Sequence, residues 1–305
     1  MKKKLLILTG GPKKKLDAFV EPAKDLGLAV TLASFADLTF LLSKQSPKIV
    51  LKVKDQSLAE FDLIYIRMVG KRLEDATLVV NFAVEKGITI IDRVYEKALF
   101  VPSTISKAAE MTKLIAAGIP LPDTYFGSLY MIGDKALAHF PFPFVIKSTS
   151  GKKARDAWLV KDTHELNSAI EELRVREKQG VRFFAQELIK ASQRIRVLVV
   201  GGRAIGALTR PTKWRKHFVS PVGEEIPDGL KEALIPVPEK YSKLGVNSAN
   251  AVDLDIAGVD ILEEDGTKNL YVIEANAAPS WNLIKKDCGV DVEKEILEYL
   301  ASLVR

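Results

Sequence analysis

Short apolar runs alternate with stretches of helical spacing through the first part of the chain. Leu5–Leu8 comes first, then Leu16, Phe19 and Val20 at helical intervals up to Gly27. Ala29–Ala33, Ile49–Val53 and Leu63–Ile66 follow, then a helical pattern over Leu73–Lys86 and a last run at Thr89–Ile91. Strand–helix alternation of this kind predicts a doubly wound parallel sheet, here in residues 1–95. Gly10–Gly11 falls directly after the first strand, where such sheets bind ligands. Without the full dinucleotide fingerprint it reads as a tight turn lining a substrate. Arg67 ends a predicted strand at the same edge, either as an anchor for a substrate carboxylate or as half of a structural ion pair.

The pattern changes over residues 96–185. Ser103–Ala117 has helical spacing and stops at Gly118 and Pro120, with Lys107 in its first turns. A small α+β unit follows, with strands at Phe142–Lys147 and Trp158–Val160 and a charged amphipathic helix over Thr163–Gln179. Between those strands, Ser148 to Asp156 combines small hydroxyl residues, Gly151 and three cations. That suits a flap closing over phosphates, with Lys147 as a fixed charge beneath it. A surface hairpin with a basic tip has the same composition.

From 186 to 305 strands dominate: Phe183–Ile189 leads in, then Ile195–Val200 and Arg203–Thr209 about a Gly201–Gly202 turn. A loop from Arg210 to Gly229, a helix between Pro238 and Val252, a hairpin and a helix over Asp291–Val304 complete the chain. The hairpin runs out through Gly258-Val259-Asp260 and back through Glu274-Ala275-Asn276. With its loop centred near Thr267, Asp260 lies across the ladder from Glu274, and Asn276 shares the face of Glu274. Two carboxylates and an amide oxygen within apolar strands suit a hard cation such as Mg2+. A solvent-facing edge strand is the plainer reading of the same residues.

Composition narrows the classes. The 305 residues are 47% hydrophobic and 28% charged, the profile of a globular protein with room for more than one domain. A single cysteine, Cys288, excludes an internal disulfide and fits a reducing, cytoplasmic setting. The apolar run after Met1-Lys2-Lys3-Lys4 is too short for a signal peptide, and no run reaches membrane-spanning length. Net charge is +6, with cations gathered at 147–155 and 203–216. Aromatic residues are not interleaved there, which argues for small phosphates and against a nucleic-acid partner. Three histidines, and no nearby partner for Cys288, exclude a His-rich metal site and a Cys–His nucleophile.

The order of features is itself informative. Lys107, then Lys147 before Gly151, then Gln186-Glu187-Leu188-Ile189, Arg196, Arg210, Arg215, Gly-Val-Asp at 258–260 and Glu-x-Asn at 274–276 follow one another. This series resembles the ATP-grasp superfamily, and within it the branch of ribosomal-protein glutamate ligases and bacterial glutathione synthetases. The resemblance implies three units: an N-terminal α/β domain (1–95), a central lid domain (96–185) and a C-terminal antiparallel-sheet domain (186–305) with the Mg-ATP site. It implies that Lys107, Lys147 and Gly151 bind phosphates and that Gln186, Glu187, Leu188 and Ile189 meet the adenine. Asp260, Glu274 and Asn276 fall on the family's metal ligands for Mg2+, with Mn2+ as the substitute ion. Arg210 and Arg215 match arginines near the transferred phosphoryl group, and Arg67 and Arg196 are the substrate candidates.

The implied activity is ATP-dependent joining of a carboxylate to an amine through an acyl-phosphate. The partners are an amino-acid or peptide carboxylate and an amine, in a chain that can form a homo-oligomer. A small-molecule kinase on the same fold, or a nucleotide-binding protein without turnover, shares these residues. Four positions depart from the family pattern: Ala154 and Asp156 replace flap glycines, Arg194 replaces an aspartate that meets the ribose, and His217 replaces an asparagine.

Overall fold

The computed structural model describes residues 3–41, 50–54, 56–70, 72–97, 107–149, 157–179, 181–211 and 232–303. Strand β1 (Lys4–Thr9) enters the core directly, with Leu5 to Leu8 fully buried, as a run apolar on both faces must be in a covered parallel sheet. A 3-10 segment (Lys13–Phe19) and helix α1 (Val20–Asp25) bring the chain back to β2 (Ala29–Ser34), parallel to β1.

The next three strands correct one expectation. β3 (Leu38–Leu41), β4 (Val50–Val53) and β5 (Gln56–Ser57) form a separate antiparallel sheet, so the run at Ile49–Val53 does not join the parallel one. Residues 38–41 use up the connection as a strand of their own, and the remainder is too short for a parallel crossover. The parallel sheet resumes with β6 (Leu63–Met68), crosses through α2 (Leu73–Lys86) and ends at β7 (Thr89–Ile91), in the order β2-β1-β6-β7. At its ligand edge the Gly10 N–H donates to the Met68 carbonyl at 2.6 Å, and a Cβ on Gly10 would lie 2.0 Å from the Val69 oxygen. Close approach of two backbones therefore demands glycine here.

Helix α3 (Val94–Lys97) and helix α4 (Lys107–Ala116) follow, α4 stopping before Gly118 at φ +72°. The next sheet comprises β8 (Thr124–Gly127), β9 (Phe144–Ser148), β10 (Ala157–Val160) and β11 (Phe183–Glu187), antiparallel in the order β10-β9-β11-β8. Helices α5 (Leu129–Lys135) and α6 (Thr163–Lys178) cover it, α6 starting at an Asp162 cap that accepts from the Glu165 N–H at 2.8 Å.

The last sheet is antiparallel and holds β12 (Gln193–Val200), β13 (Arg203–Pro211), β14 (Ala233–Leu234), β15 (Ile256–Glu263) and β16 (Leu270–Asn276), in the order β14-β13-β12-β15-β16. Helices α7 (Glu239–Ala251), α8 (Asn282–Cys288) and α9 (Val292–Leu303) pack around it.

The cores do not follow the sheets one to one. One apolar cluster runs from Leu6 and Ile64 through Leu51 to Val259 and Val272, and a second joins Leu5 and Tyr65 to Ile256, Trp281 and Leu300. The β8–β11 sheet keeps its own cluster around Phe144, Trp158 and Leu166. Asp92, after β7, reinforces the shared core: its buried Oδ1 accepts from the N–H groups of Asp255 and Ile256 at 2.7 and 2.9 Å. Among the described residues, no helix is long and apolar enough to cross a membrane.

Candidate active site

Charge is concentrated on one face of the last sheet. Arg196 on β12 stands opposite Asp260 on β15, and Asp260 stands opposite Glu274 on β16, the ladder position the hairpin loop predicts. Cross-strand partners share a face, so the three side chains lie in a row. The Arg196 guanidinium forks onto Asp260, with Nε donating to Oδ1 at 2.6 Å and a terminal nitrogen to Oδ2 at 2.5 Å. Asp260 is 2% exposed. Burial alone would lift its carboxyl pKa, but Arg196, and then Arg194 and Lys107, hold it below the ordinary aspartate value.

Lys107 supplies the next charge. It opens α4, and its Nζ lies 2.8 Å from Glu110 Oε2 and 3.0 Å from Glu274 Oε1. Burial works against the ammonium, yet the two carboxylates push its pKa above the usual lysine value. Glu110 is 4% exposed, and its other oxygen accepts from the Ala275 N–H at 2.7 Å. Sequence reasoning missed Glu110. Its signal is a carboxylate on the buried stripe of α4 that also carries Met111 and Leu114.

Lys147 approaches from β9 of the neighbouring sheet. Its Nζ donates to Gln186 Oε1 at 2.6 Å, and Gln186 Nε2 donates to Thr124 Oγ1 at 2.8 Å. Burial, and then the nearby Lys107 charge, push the Lys147 pKa down to about 8. The Gln186 side chain is thus committed to Lys147 and Thr124. The Glu187 N–H is taken by the Asp123 carbonyl at 2.9 Å. Ile189 is buried against Ala191 and Leu262, and Leu188 is half-buried.

The remaining candidates sit around this centre. Asn276 is opposite Gly258, and its Oδ1 accepts from the Ala278 N–H at 2.9 Å. Arg210 stands opposite Arg194 across the β12–β13 ladder, and each buries its Nε without an acceptor among the described residues. Burial, followed by Arg196 and Arg194, holds the Arg210 pKa below the ordinary arginine value. Arg67 donates to the Pro279 carbonyl at 2.6 Å and stacks on the Trp281 ring at 4.0 Å, contacts other than an ion pair. Gly151 and Arg215 lie outside the described residues.

Among the described residues no group of three or more His, Cys, Asp and Glu converges as a metal cage. The donor set fits Mg2+ held the other way, by one or two protein carboxylates with phosphate oxygens completing the shell. Asp260 and Glu274 face each other across the ladder, and a carboxylate oxygen engaged by one cation keeps a second lone-pair direction. Lys107 and Lys147 bring two cations beside these carboxylates.

Residues 104–300 match the family model described as the RimK-like ATP-grasp domain. The chain is 27% identical over 264 residues to N-acetylaspartylglutamate synthase A of Homo sapiens, covering 83% of this chain and 63% of that protein. It is 30% identical over 209 residues to beta-citrylglutamate synthase B of Mus musculus, covering 66% and 50%. A probable alpha-L-glutamate ligase of Haemophilus influenzae (strain ATCC 51907 / DSM 11121 / KW20 / Rd) is 24% identical, covering 61% and 59%. The chain therefore spans from about half to just under two thirds of the curated relatives it matches. Among solved structures, the ATP-grasp ligase PsnB complexed with minimal precursor, Mg and ADP superposes at TM-score 0.71 with 17% identity, over 99% of this chain and 97% of that one. D-cycloserine synthetase DcsG superposes at 0.70 with 14% identity, over 99% and 100%. These two likenesses establish the ATP-grasp fold.

Proposed function

The chain belongs to the RimK-like ATP-grasp family, and from that premise we propose that it is an ATP-dependent carboxylate–amine ligase. The observation that carries the reading is the row Arg196–Asp260–Glu274, with Lys107 and Lys147 converging on it from two further elements. Such a site orders a triphosphate and neutralises it, which is most of what phosphoryl transfer asks of a protein. Asp260, Glu274 and Asn276 would hold Mg2+, which when bound screens the phosphate charge. Lys147, oriented by Gln186, and Lys107, held by Glu110, bind the phosphate oxygens. Leu188, Ile189 and the backbone of 187–189 take the adenine, and we assign Gly151 to the phosphates and Arg215 to the transferred phosphoryl group. Arg210 and Arg194, whose Nε–H groups lack an acceptor among the described residues, are our candidates to meet the transferred phosphoryl group.

The reaction runs in two transfers. A substrate carboxylate oxygen attacks the γ-phosphorus of ATP, ADP leaves, and an acyl-phosphate forms. An amine nitrogen then attacks the acyl carbon, the C–O bond breaks, phosphate leaves and a proton is released. The relatives named as glutamate ligases, N-acetylaspartylglutamate synthase and beta-citrylglutamate synthase support an acidic amino acid or peptide as substrate. Arg67, fixed on Trp281 at the edge of the parallel sheet, is our candidate for recognising its carboxylate. Arg196 serves Asp260 first and the substrate only through it. We read the chain as three units, 1–95, 96–185 and 186–305, working in the cytoplasm, where the single cysteine stays reduced.

The test is ADP and phosphate release from ATP and Mg2+ against pools of amino acids and short peptides, with mass spectrometry of the products. Release that depends on an amine and yields an amide supports the ligase. A stable phosphorylated product without an amine would make the protein a kinase. Failure to bind Mg-ATP or Mg-ADP would overturn the reading altogether.

A further inference from the structure

Glu110 is a buried carboxylate with two donors of different kinds. Lys107, one turn back along α4, reaches one oxygen at 2.8 Å, and the Ala275 N–H reaches the other at 2.7 Å. Ala275 lies between Glu274 and Asn276 on β16, the edge strand of its sheet. An edge strand needs its outward N–H groups covered. Here the chain from 107 to 120 does this, because Pro120 also offers its carbonyl to the Val272 N–H at 2.8 Å. A neutral acceptor is enough at Val272 and would be enough at Ala275. The negative charge of Glu110 is surplus to edge covering, and its other partner, Lys107, accounts for it.

We infer that Glu110 is a positioning residue that sets two sides of the site with one carboxylate. It fixes the Lys107 ammonium toward the phosphates and fixes the β16 backbone between Glu274 and Asn276. The inference rests on the site being the Mg-ATP seat proposed above. It has a distinct consequence. Lys107 is shared between Glu110 and Glu274, so without the Glu110 charge it leans on Glu274 alone and competes with the divalent ion for that carboxylate. Removing one charge therefore raises the Mg2+ requirement as well as weakening nucleotide binding.

The experiment is calorimetric titration of ADP into the full chain at graded Mg2+, with ligand-free melting measured alongside. Glu110→Gln keeps an acceptor for Ala275 and should melt near the wild type. It should bind Mg-ADP about tenfold more weakly and need about tenfold more Mg2+ at the midpoint, the scale of one lost charge-assisted hydrogen bond. In Glu110→Gln with Lys107→Met the competitor is gone. The Mg2+ midpoint then returns toward the wild type while ADP affinity stays low, a rescue that a purely structural role would not give. A wild-type midpoint in Glu110→Gln, or no recovery in the double variant, overturns the inference. If Glu110→Gln does not fold, Glu110→Asp takes its place. It keeps the charge but is too short to serve both donors, so wild-type binding by it also overturns the inference. Absence of Mg-ADP binding by the wild type overturns the Mg-ATP reading itself, before any variant is compared.

Discussion

Arg196 and Asp260 face each other across the β12–β15 ladder, and the guanidinium closes on both oxygens of a carboxylate that solvent barely reaches. The pair ties the charge at the centre of the site to the integrity of the sheet. Asp260→Ala strands a buried guanidinium and should lower stability by about 3–5 kcal/mol, the usual cost of breaking one side of such a pair. Asp260→Asn keeps the shape and a neutral acceptor. It should melt closer to the wild type and still lose nearly all ADP release. Thermal denaturation beside a turnover assay separates the two effects, and near-wild-type turnover in Asp260→Asn removes Asp260 from the metal set.

Lys147 gives the site a pH dependence. Its pKa is pushed down to about 8, so the ammonium is present below that pH and lost above it. ADP affinity should therefore fall as pH rises from about 7 to about 9. Lys147→Met should bind more weakly at every pH and show a flatter profile over that window. Titrations of both proteins across the window check this, and parallel profiles would assign the pH effect to another group.

Asp92 governs stability in the opposite register from an ordinary surface carboxylate. Burial pushes its pKa up to about 8, above the unfolded value of 3.8. The folded state holds the proton more tightly, so between those values the folded chain binds more protons than the unfolded one and stability declines as pH rises. The slope is at most about 1.4 kcal/mol per pH unit. Asp92→Asn keeps an acceptor for Asp255 and Ile256 and should flatten the decline between about pH 5 and 8, as measured by urea unfolding at several pH values.

Arg67 belongs to substrate recognition in the proposed scheme. Arg67→Ala loses the Trp281 stack and the Pro279 hydrogen bond, together worth about 1–3 kcal/mol. The KM for the carboxylate substrate should rise about tenfold or more, with the KM for ATP within about threefold of wild type. Steady-state kinetics with each substrate varied in turn decides it. An equal rise in both would make Arg67 a support for the loop after β16.

The parallel sheet is legible in the sequence because Leu5–Leu8 and Leu63–Ile66 are apolar on both faces, which few environments other than a covered sheet accept. The Asp260–Glu274 pairing is legible because a short loop fixes the register, even with an irregularity beyond Asp260. Arg196 against Asp260 is not legible in the same way, since that register joins strands 64 residues apart. The run at Ile49–Val53 shows a strand but not its partner, and tertiary pairing assigns it to another sheet. Gln186 reads as a nucleotide contact by position, and its hydrogen bonds to Lys147 and Thr124 emerge only when β8, β9 and β11 are side by side. Glu110 carries the faintest signal of all, one acid on an apolar stripe.

The two apolar clusters that run from the parallel sheet into the last antiparallel sheet have a practical consequence for dissection of the chain. A cut after residue 95 would expose both halves of each cluster and leave neither fragment a finished interior. The β8–β11 sheet has an interior of its own, so gene fragments, hinge insertions and domain exchanges belong at its borders. Among the described residues, the first and last of the three units share their interior, and the β8–β11 sheet fills its own.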